Sequence, residues 1–322
     1  MAALCLIFIA GMLTGVVLTL SRIATFDVRA HVELQRSAYI NEGTANRVQW
    51  LLAADQSVYP ASGTLGEVDY TEYEHDRYMA DGVFHEIDYH GTPVRVVITD
   101  ASSGMNLSGT AYRTNLQRIS TVLQLEVQGI ADQVAALTAK ITDYIDSDDE
   151  LSTDGMEAGD YEDAKMEPLP RNGAIRFREE FFYIPGFLDL FTPDKYGRLS
   201  GVRLITPYGM TSIASAAPSF FTATELMLKI YGNLEDDEVA EVVKAREVWF
   251  KEKTKISEQL DELLVGRLKS GLSWSESGVY SVRIEAPEKS GRPSRRLFFT
   301  FPFFGISGPS NEFVHYYEWL MP

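Results

Sequence analysis

Apolar and polar positions divide the chain into a few distinct regimes. The first, MAALCLIFIAGMLTGVVLTLS, contains no charged side chain. At about 1.5 Å of rise per residue, a helix of this length crosses the hydrocarbon core of a bilayer. No basic residue precedes the run, and it is longer than the apolar core of a cleavable signal peptide. The segment therefore reads as a membrane anchor. From Arg22 to Ala54 there is no proline and one glycine, Gly43. Ile23, Phe26, Val28, Val32, Leu34, Tyr39, Ile40, Val48, Leu51 and Leu52 alternate there with polar residues. That pattern predicts an amphipathic continuation of the same helix, about fifty residues in all, stopped near Pro60 and Gly63.

Further on, VFHEIDYHGTPVRVVITD (83–100) alternates around His90–Gly91, as a β-hairpin does. Residues 115–145 carry apolar side chains at helical spacing and predict one helix. Shorter helices are expected at 174–184, Thr222–Tyr231 and Asp236–Leu264, with a strand at Val202–Ile205. The last fifty residues are rich in β-branched and aromatic side chains. VYSVRIEAP (279–287), RRLFFTFPFF (295–304) and EFVHYYEWL (312–320) are predicted strands there. Strands, then a helical block, then strands, describe an α+β protein with a helical insertion.

Charge narrows the functions available. The net charge of −17 argues against nucleic acid as a partner, because phosphates would be repelled. Ten acidic side chains and no basic one lie between Asp143 and Asp163. The single cysteine, Cys5, allows neither an intramolecular disulfide nor a cysteine-built zinc site. HEIDYH (85–90) spaces its histidines one residue too far apart for a zincin and reads as hairpin surface. The chain contains no nucleophile elbow, P-loop or dinucleotide-binding glycine signature. Lys289, Arg292, Arg295 and Arg296 fall in a predicted turn, which is either simply solvated or a contact for anionic lipid headgroups.

The acidic stretch has two physical readings. Ten carboxylates in a compact loop repel one another, so the segment is either solvated or neutralised by a cation. Calcium, with six to eight oxygen ligands, reverses the sign of that repulsion. Asp146-x-Asp148-x-Glu150 gives the alternating carboxylates of a calcium loop, although Leu151 stands where an EF-hand requires glycine. As general acids these solvated groups are poorly placed, since a raised pKa usually needs an apolar pocket.

Several pieces together resemble the minor pseudopilin K family of bacterial type II secretion systems. They are the anchor and long helix MAALCLIFIAGMLTGVVLTLSRIATFDVRAHVELQRSAYINEGTANRVQWLLA, then VRVVITDASSGMNLSG, then ITDYIDSDDELSTDGMEAGDY, then RNGAIRFREEFFYIPGF. The resemblance implies a pseudopilin fold, a long N-terminal helix on a small antiparallel sheet, with a large inserted α-helical domain. It divides the chain into an anchor (1–21), an amphipathic continuation (22–54), a first part of the sheet domain (55–104), an insert (105–268) and closing strands (269–322). It also implies a non-enzymatic structural subunit that caps the tip of a periplasmic pseudopilus, starts assembly and supports export.

The implied partners are I-like and J-like minor pseudopilins, the inner membrane, and secreted substrate or the outer-membrane channel. Phe26, Val32, Leu34, Ile40 and Val48 are the expected partner-binding residues. The implied localisation is the bacterial inner membrane, single pass, with most of the chain in the periplasm. Cys5 would stand where most pseudopilins, though not this family, carry a glutamate. The family's aspartate-rich loop binds calcium, and Asp146, Asp148, Glu150 and Glu157 match it best, followed by Asp149 and Asp163. Two other classes compete on residues alone: a membrane-anchored binding module or adhesin, and a metal-dependent hydrolase.

Overall fold

The structure, a computed structural model, describes residues 2–59, 65–68, 77–205, 217–287, 294–302 and 316–320. The first element, α1 (Ala2–Val58), runs unbroken for 57 residues. Among the described residues, nothing covers its apolar first half. Its second half meets the expectation of a continuing helix; Pro60 and Gly63, the predicted stop, lie outside the described residues. Along that half, Asn41, Thr44, Ala45, Val48, Leu52 and Asp55 are all buried. Their spacings of three, four and seven residues place them on one helical face.

That face lies on a five-stranded antiparallel sheet of order β1-β2-β3-β4-β5. The hairpin of β1 (Phe84–Tyr89) and β2 (Thr92–Asp100) turns at His90–Gly91 as expected. Strand β3 (Val279–Glu285) pairs with β2, with Ile98 opposite Val282. Strands β4 (Arg296–Pro302) and β5 (Tyr316–Leu320) complete the sheet. Alternation sends Val94, Val96, Ile98, Tyr280, Val282, Ile284, Leu297, Phe299 and Phe301 toward α1, where they form one core with Ala45, Val48 and Leu52. Gly43 has a steric reason to be glycine, since a Cβ there would collide with the Tyr89 ring.

Asn41 is fully buried in this contact. Its amide nitrogen donates to the carbonyl of Arg295 at 2.7 Å, and its amide oxygen accepts from the N–H of Ala286 at 3.0 Å. Asn41→Ala would strand both backbone groups away from water. The expected loss is about 2 kcal/mol of stability, measured by chemical denaturation of the detergent-solubilised chain.

Between β2 and β3 the chain leaves the sheet and builds a second, larger core. The helices are α2 (Ala111–Leu123), α3 (Ile130–Ile145), α4 (Ala158–Asp163), α5 (Phe187–Leu190), α6 (Glu225–Gly232), α7 (Asp236–Glu252) and α8 (Glu262–Gly271). Tyr112, Leu116, Ile141, Tyr144, Phe181, Phe220, Trp249 and Leu268 are among its buried side chains. Long helix, antiparallel sheet and helical insertion together make the expected pseudopilin architecture.

Four local expectations need correction. The single helix predicted over 115–145 is a helical hairpin, α2 and α3, broken where Gly129 adopts a φ of 77°. The apolar rhythm continues across the break because both helices bury a face in the same core. The helix predicted at Asp236–Leu264 ends at Glu252, where Lys253 turns left-handed (φ 58°), and resumes as α8. The segment 174–184 contains only a 3-10 turn, Arg178–Tyr183. Val202–Ile205 forms no strand, only a parallel bridge from Val202 to Met105.

Candidate functional site

The acidic loop follows α3 directly, and its carboxylates divide into buried and exposed groups. Asp143 is fully buried although helical periodicity points it away from the apolar stripe of Val134, Leu137, Ile141 and Tyr144. What buries it is the loop folding back. The Ser152 N–H donates to Asp143 Oδ2 at 3.3 Å, and Gly155 presses so closely that a Cβ there would collide with that oxygen. Glu157 is also buried, at the N-cap of α4, where its backbone N–H donates to Asp160 Oδ2 at 2.9 Å.

Four carboxylate oxygens in this fold-back lie out of contact with water and without a hydrogen-bond donor. They are Asp143 Oδ1, Asp146 Oδ1 and both Glu157 oxygens. Tyr161 Oη, buried beneath them, is in the same state. Burial raises the pKa of the Glu157 carboxyl, and the charges of Asp143, Asp146, Asp149 and Asp148 raise it further. Asp146 is raised for the same reasons, by burial and then by Asp148 and Asp143, with Arg113 opposing. Burial also lifts the Tyr144 phenol to about 12. These are the marks of anions brought together without enough counter-charge. Among the described residues, no three His, Cys, Asp or Glu side chains already stand as a closed coordination shell.

The predicted ligands are thus sorted. Asp146 and Glu157 converge, with Asp148 and Asp149 exposed but close enough to act on them. Glu150 and Asp163 are exposed, Asp163 on the last turn of α4, and neither is among the main charges acting on Asp146 or Glu157. Asp143 is not among the expected ligands, because helical periodicity assigns it to solvent. The only sequence trace of its burial is Gly155, whose missing side chain makes room for it.

The expected partner face divides in the same way. Phe26 and Val32 are exposed, at 71% and 55%. Leu34 and Ile40 are half-buried, and Ile40 packs against the sheet core. Val48 is wholly buried against the chain's own sheet, so its apolar character is explained without a partner. The more continuous strip is Val28, Val32, Tyr39 and Trp50, all exposed. Its spacings of four, seven and eleven residues run along the side of α1 opposite the sheet.

The remaining candidates carry little chemistry. His85 Nε2 pairs with the buried Asp81 carboxylate at 3.0 Å, and His90 occupies the hairpin turn. His75, His315, Lys289 and Arg292 lie outside the described residues. The backbone N–H of Arg295 donates to Ser37 Oγ at 3.0 Å, which fixes this part of the predicted turn against α1.

Residues 102–202 match the family described as Type II secretion system (T2SS), protein K. This is the family the sequence resembles, and the match spans the acidic loop. Over the whole chain, the fold is similar to a chain in the crystal structure of the GspK-GspI-GspJ complex from the enterotoxigenic Escherichia coli Type 2 Secretion System. The TM-score is 0.51 at 14% sequence identity, covering 91% of this chain and 99% of that one. No curated protein sequence matches the chain.

Proposed function

We propose, from the match of residues 102–202 to the type II secretion protein K family, that the chain is a structural subunit of a secretion pseudopilus. The observation that carries this reading is one helix with two different apolar faces. Its first half is greasy all round and exposed; its second half buries one face on its own sheet and leaves Val28, Val32, Tyr39 and Trp50 bare on the other. A lone soluble domain gains nothing from such a strip, whereas a filament subunit packs it along neighbouring helices. Minor pseudopilins of the I and J type are the proposed neighbours, as in the similar complex. The proposed location is the inner membrane, with sheet and insert in the periplasm and the insert capping the tip. The subunit's work is assembly and support of export, without catalysis.

The acidic fold-back is proposed to hold calcium as a structural ion. Asp143, Asp146 and Glu157 fit it on the strength of their orphaned oxygens, with Asp148 and Asp149 at the rim. A bound divalent cation supplies the positive charge that these anions lack and so ties the end of α3 to the start of α4. Since Glu150 and Asp163 are not among the main charges of this field, they are secondary.

The proposal is tested in the host cell. Val32→Asp with Tyr39→Asp places two charges on the bare strip while leaving the sheet-facing stripe intact. Export of the secreted substrates is expected to stop while the protein remains present and membrane-inserted. Normal export by this variant would remove the packing role of the strip.

A further inference from the structure

The bare strip on α1 has two flanks of unlike charge. On one side stand Arg22, Arg29, Arg36 and Arg47, all exposed. Seven residues fall about 20° short of two helical turns, and eleven residues run about 20° beyond three. Spacings of seven, seven and eleven therefore hold the four arginines within about 40° of one another, in a line about 38 Å long. On the strip's other flank Gln35, Glu42 and Gln49 repeat every seven residues, with no basic group among them. In a chain of net charge −17, this one-sided line of cations runs against the general composition.

Three of the arginines stand three residues ahead of a bare apolar residue: Arg29 before Val32, Arg36 before Tyr39 and Arg47 before Trp50. Three residues is about 60° around the axis, so the line borders the strip along its length. In paired helices an apolar seam supplies the attraction, and charges beside the seam choose the partner. Its own helix does little to neutralise this line. The positions three and four residues from the arginines, where a helical ion pair would form, hold one acid, Glu33, which is half-buried. Among the described residues none of the four arginines is in an ion pair, whereas Asp27, on a different side of α1, lies 3.4 Å from His31.

Two nearby sources of negative charge do not fit the line. Lipid phosphates lie within about 5–8 Å of the hydrocarbon core. The charge-free run ends at Ser21, so phosphates reach Arg22 but not Arg36 or Arg47, about 21 and 38 Å farther along the helix. A second copy of this chain offers Asp27 and Glu42 as the exposed carboxylates of the same stretch, fifteen residues apart, which does not match the arginine spacing. Building on the reading that α1 packs along neighbouring helices, we propose that the four arginines are a selectivity rail. The rail seats the long helix of a different subunit, one whose apolar seam is bordered by carboxylates. A neighbour anchored in the same bilayer runs parallel to α1, so its carboxylates meet the arginines in turn only when they repeat at matching intervals. Exposed ion pairs are individually weak, so the strip supplies most of the adhesion. The rail decides which neighbour is accepted, and at which register.

The test measures binding of the full-length chain to the I-like and J-like minor pseudopilins of the same cell, in an uncharged detergent that supplies no phosphate. Arg36→Glu with Arg47→Glu is expected to weaken the complex about tenfold or more at about 50 mM salt, and only about twofold at about 500 mM. Arg36→Lys with Arg47→Lys, which keeps the charge, is expected to bind like the wild type. Both arginines are exposed, so the isolated Glu variant should melt with the wild type, which separates lost recognition from lost folding. Wild-type affinity in the Glu variant at low salt, as a merely solvated or lipid-facing line would give, would overturn the rail. So would a defect that high salt does not relieve. Val32→Asp with Tyr39→Asp, measured beside it, reports on the strip alone: loss of binding at both salt concentrations upholds helix packing even where the rail fails.

Discussion

Calcium added to the chelator-treated full-length protein is expected to raise its melting temperature by on the order of 5 °C at a hundredfold excess over the dissociation constant. The sign follows from the charges in the fold-back. Asp143 Oδ1, Asp146 Oδ1 and the Glu157 oxygens are buried without donors, and burial and mutual repulsion hold Asp146 and Glu157 above the ordinary carboxylate range. In the metal-free protein their contribution is present at low pH and is lost as pH rises through those elevated values. Chelated protein should therefore lose stability as pH rises through the upper side of the carboxylate range, and calcium should flatten that slope. Asp143→Asn, which keeps size and shape, should remove most of the calcium response. Glu150→Gln and Asp163→Asn should leave it nearly intact. A full response in Asp143→Asn would move the site to the exposed Asp148–Glu150 stretch.

The second large effect is expected at the end of the long helix. Arg77 Nε and Nη2 donate to the two oxygens of Asp55 at 2.8 and 2.9 Å, and both side chains are about 95% buried. The Tyr78 N–H adds a third bond to Asp55 at 3.0 Å, and the guanidinium sits over the Tyr59 ring. Arg77→Ala leaves a carboxylate in the interior with one donor where it had three. The expected loss is about 3–5 kcal/mol, read from chemical denaturation of the detergent-solubilised chain. Asp55→Asn combined with Arg77→Met should recover part of it, because neither charge is then stranded. A loss below about 1 kcal/mol in Arg77→Ala would mean that water reaches Asp55 in the folded protein.

Much of this architecture is legible in the sequence because it rests on period. The charge-free run, the continuation of the long helix to Ala54 and the alternation in β2, β3 and β4 each follow from a local pattern of apolar and polar positions. Breaks that conserve the rhythm are not legible. Gly129 and Lys253 interrupt helices whose apolar residues keep step on either side, so periodicity runs straight through both. The sheet's central pairing of β2 with β3 joins residues about 180 positions apart, and no local pattern announces it. At the acidic loop, charge density is visible in the sequence but convergence is not. Asp143 is buried by a fold-back that depends on Gly155, and Asp163 is exposed because α4 carries it away. Val48 shows the complementary ambiguity: apolar on a partner-seeking helix, yet used by the chain's own sheet.

The central claim is that the bare strip of α1 packs against sister pseudopilins. Co-purification of the full-length chain with the I-like and J-like minor pseudopilins of the same cell, followed by mass measurement in detergent, tests it most directly. A one-to-one-to-one complex is expected for the wild type and for Glu150→Gln, and loss of that complex for Val32→Asp with Tyr39→Asp. A wild-type chain that stays monomeric beside both partners, or a double variant that assembles as well as the wild type, would contradict the account.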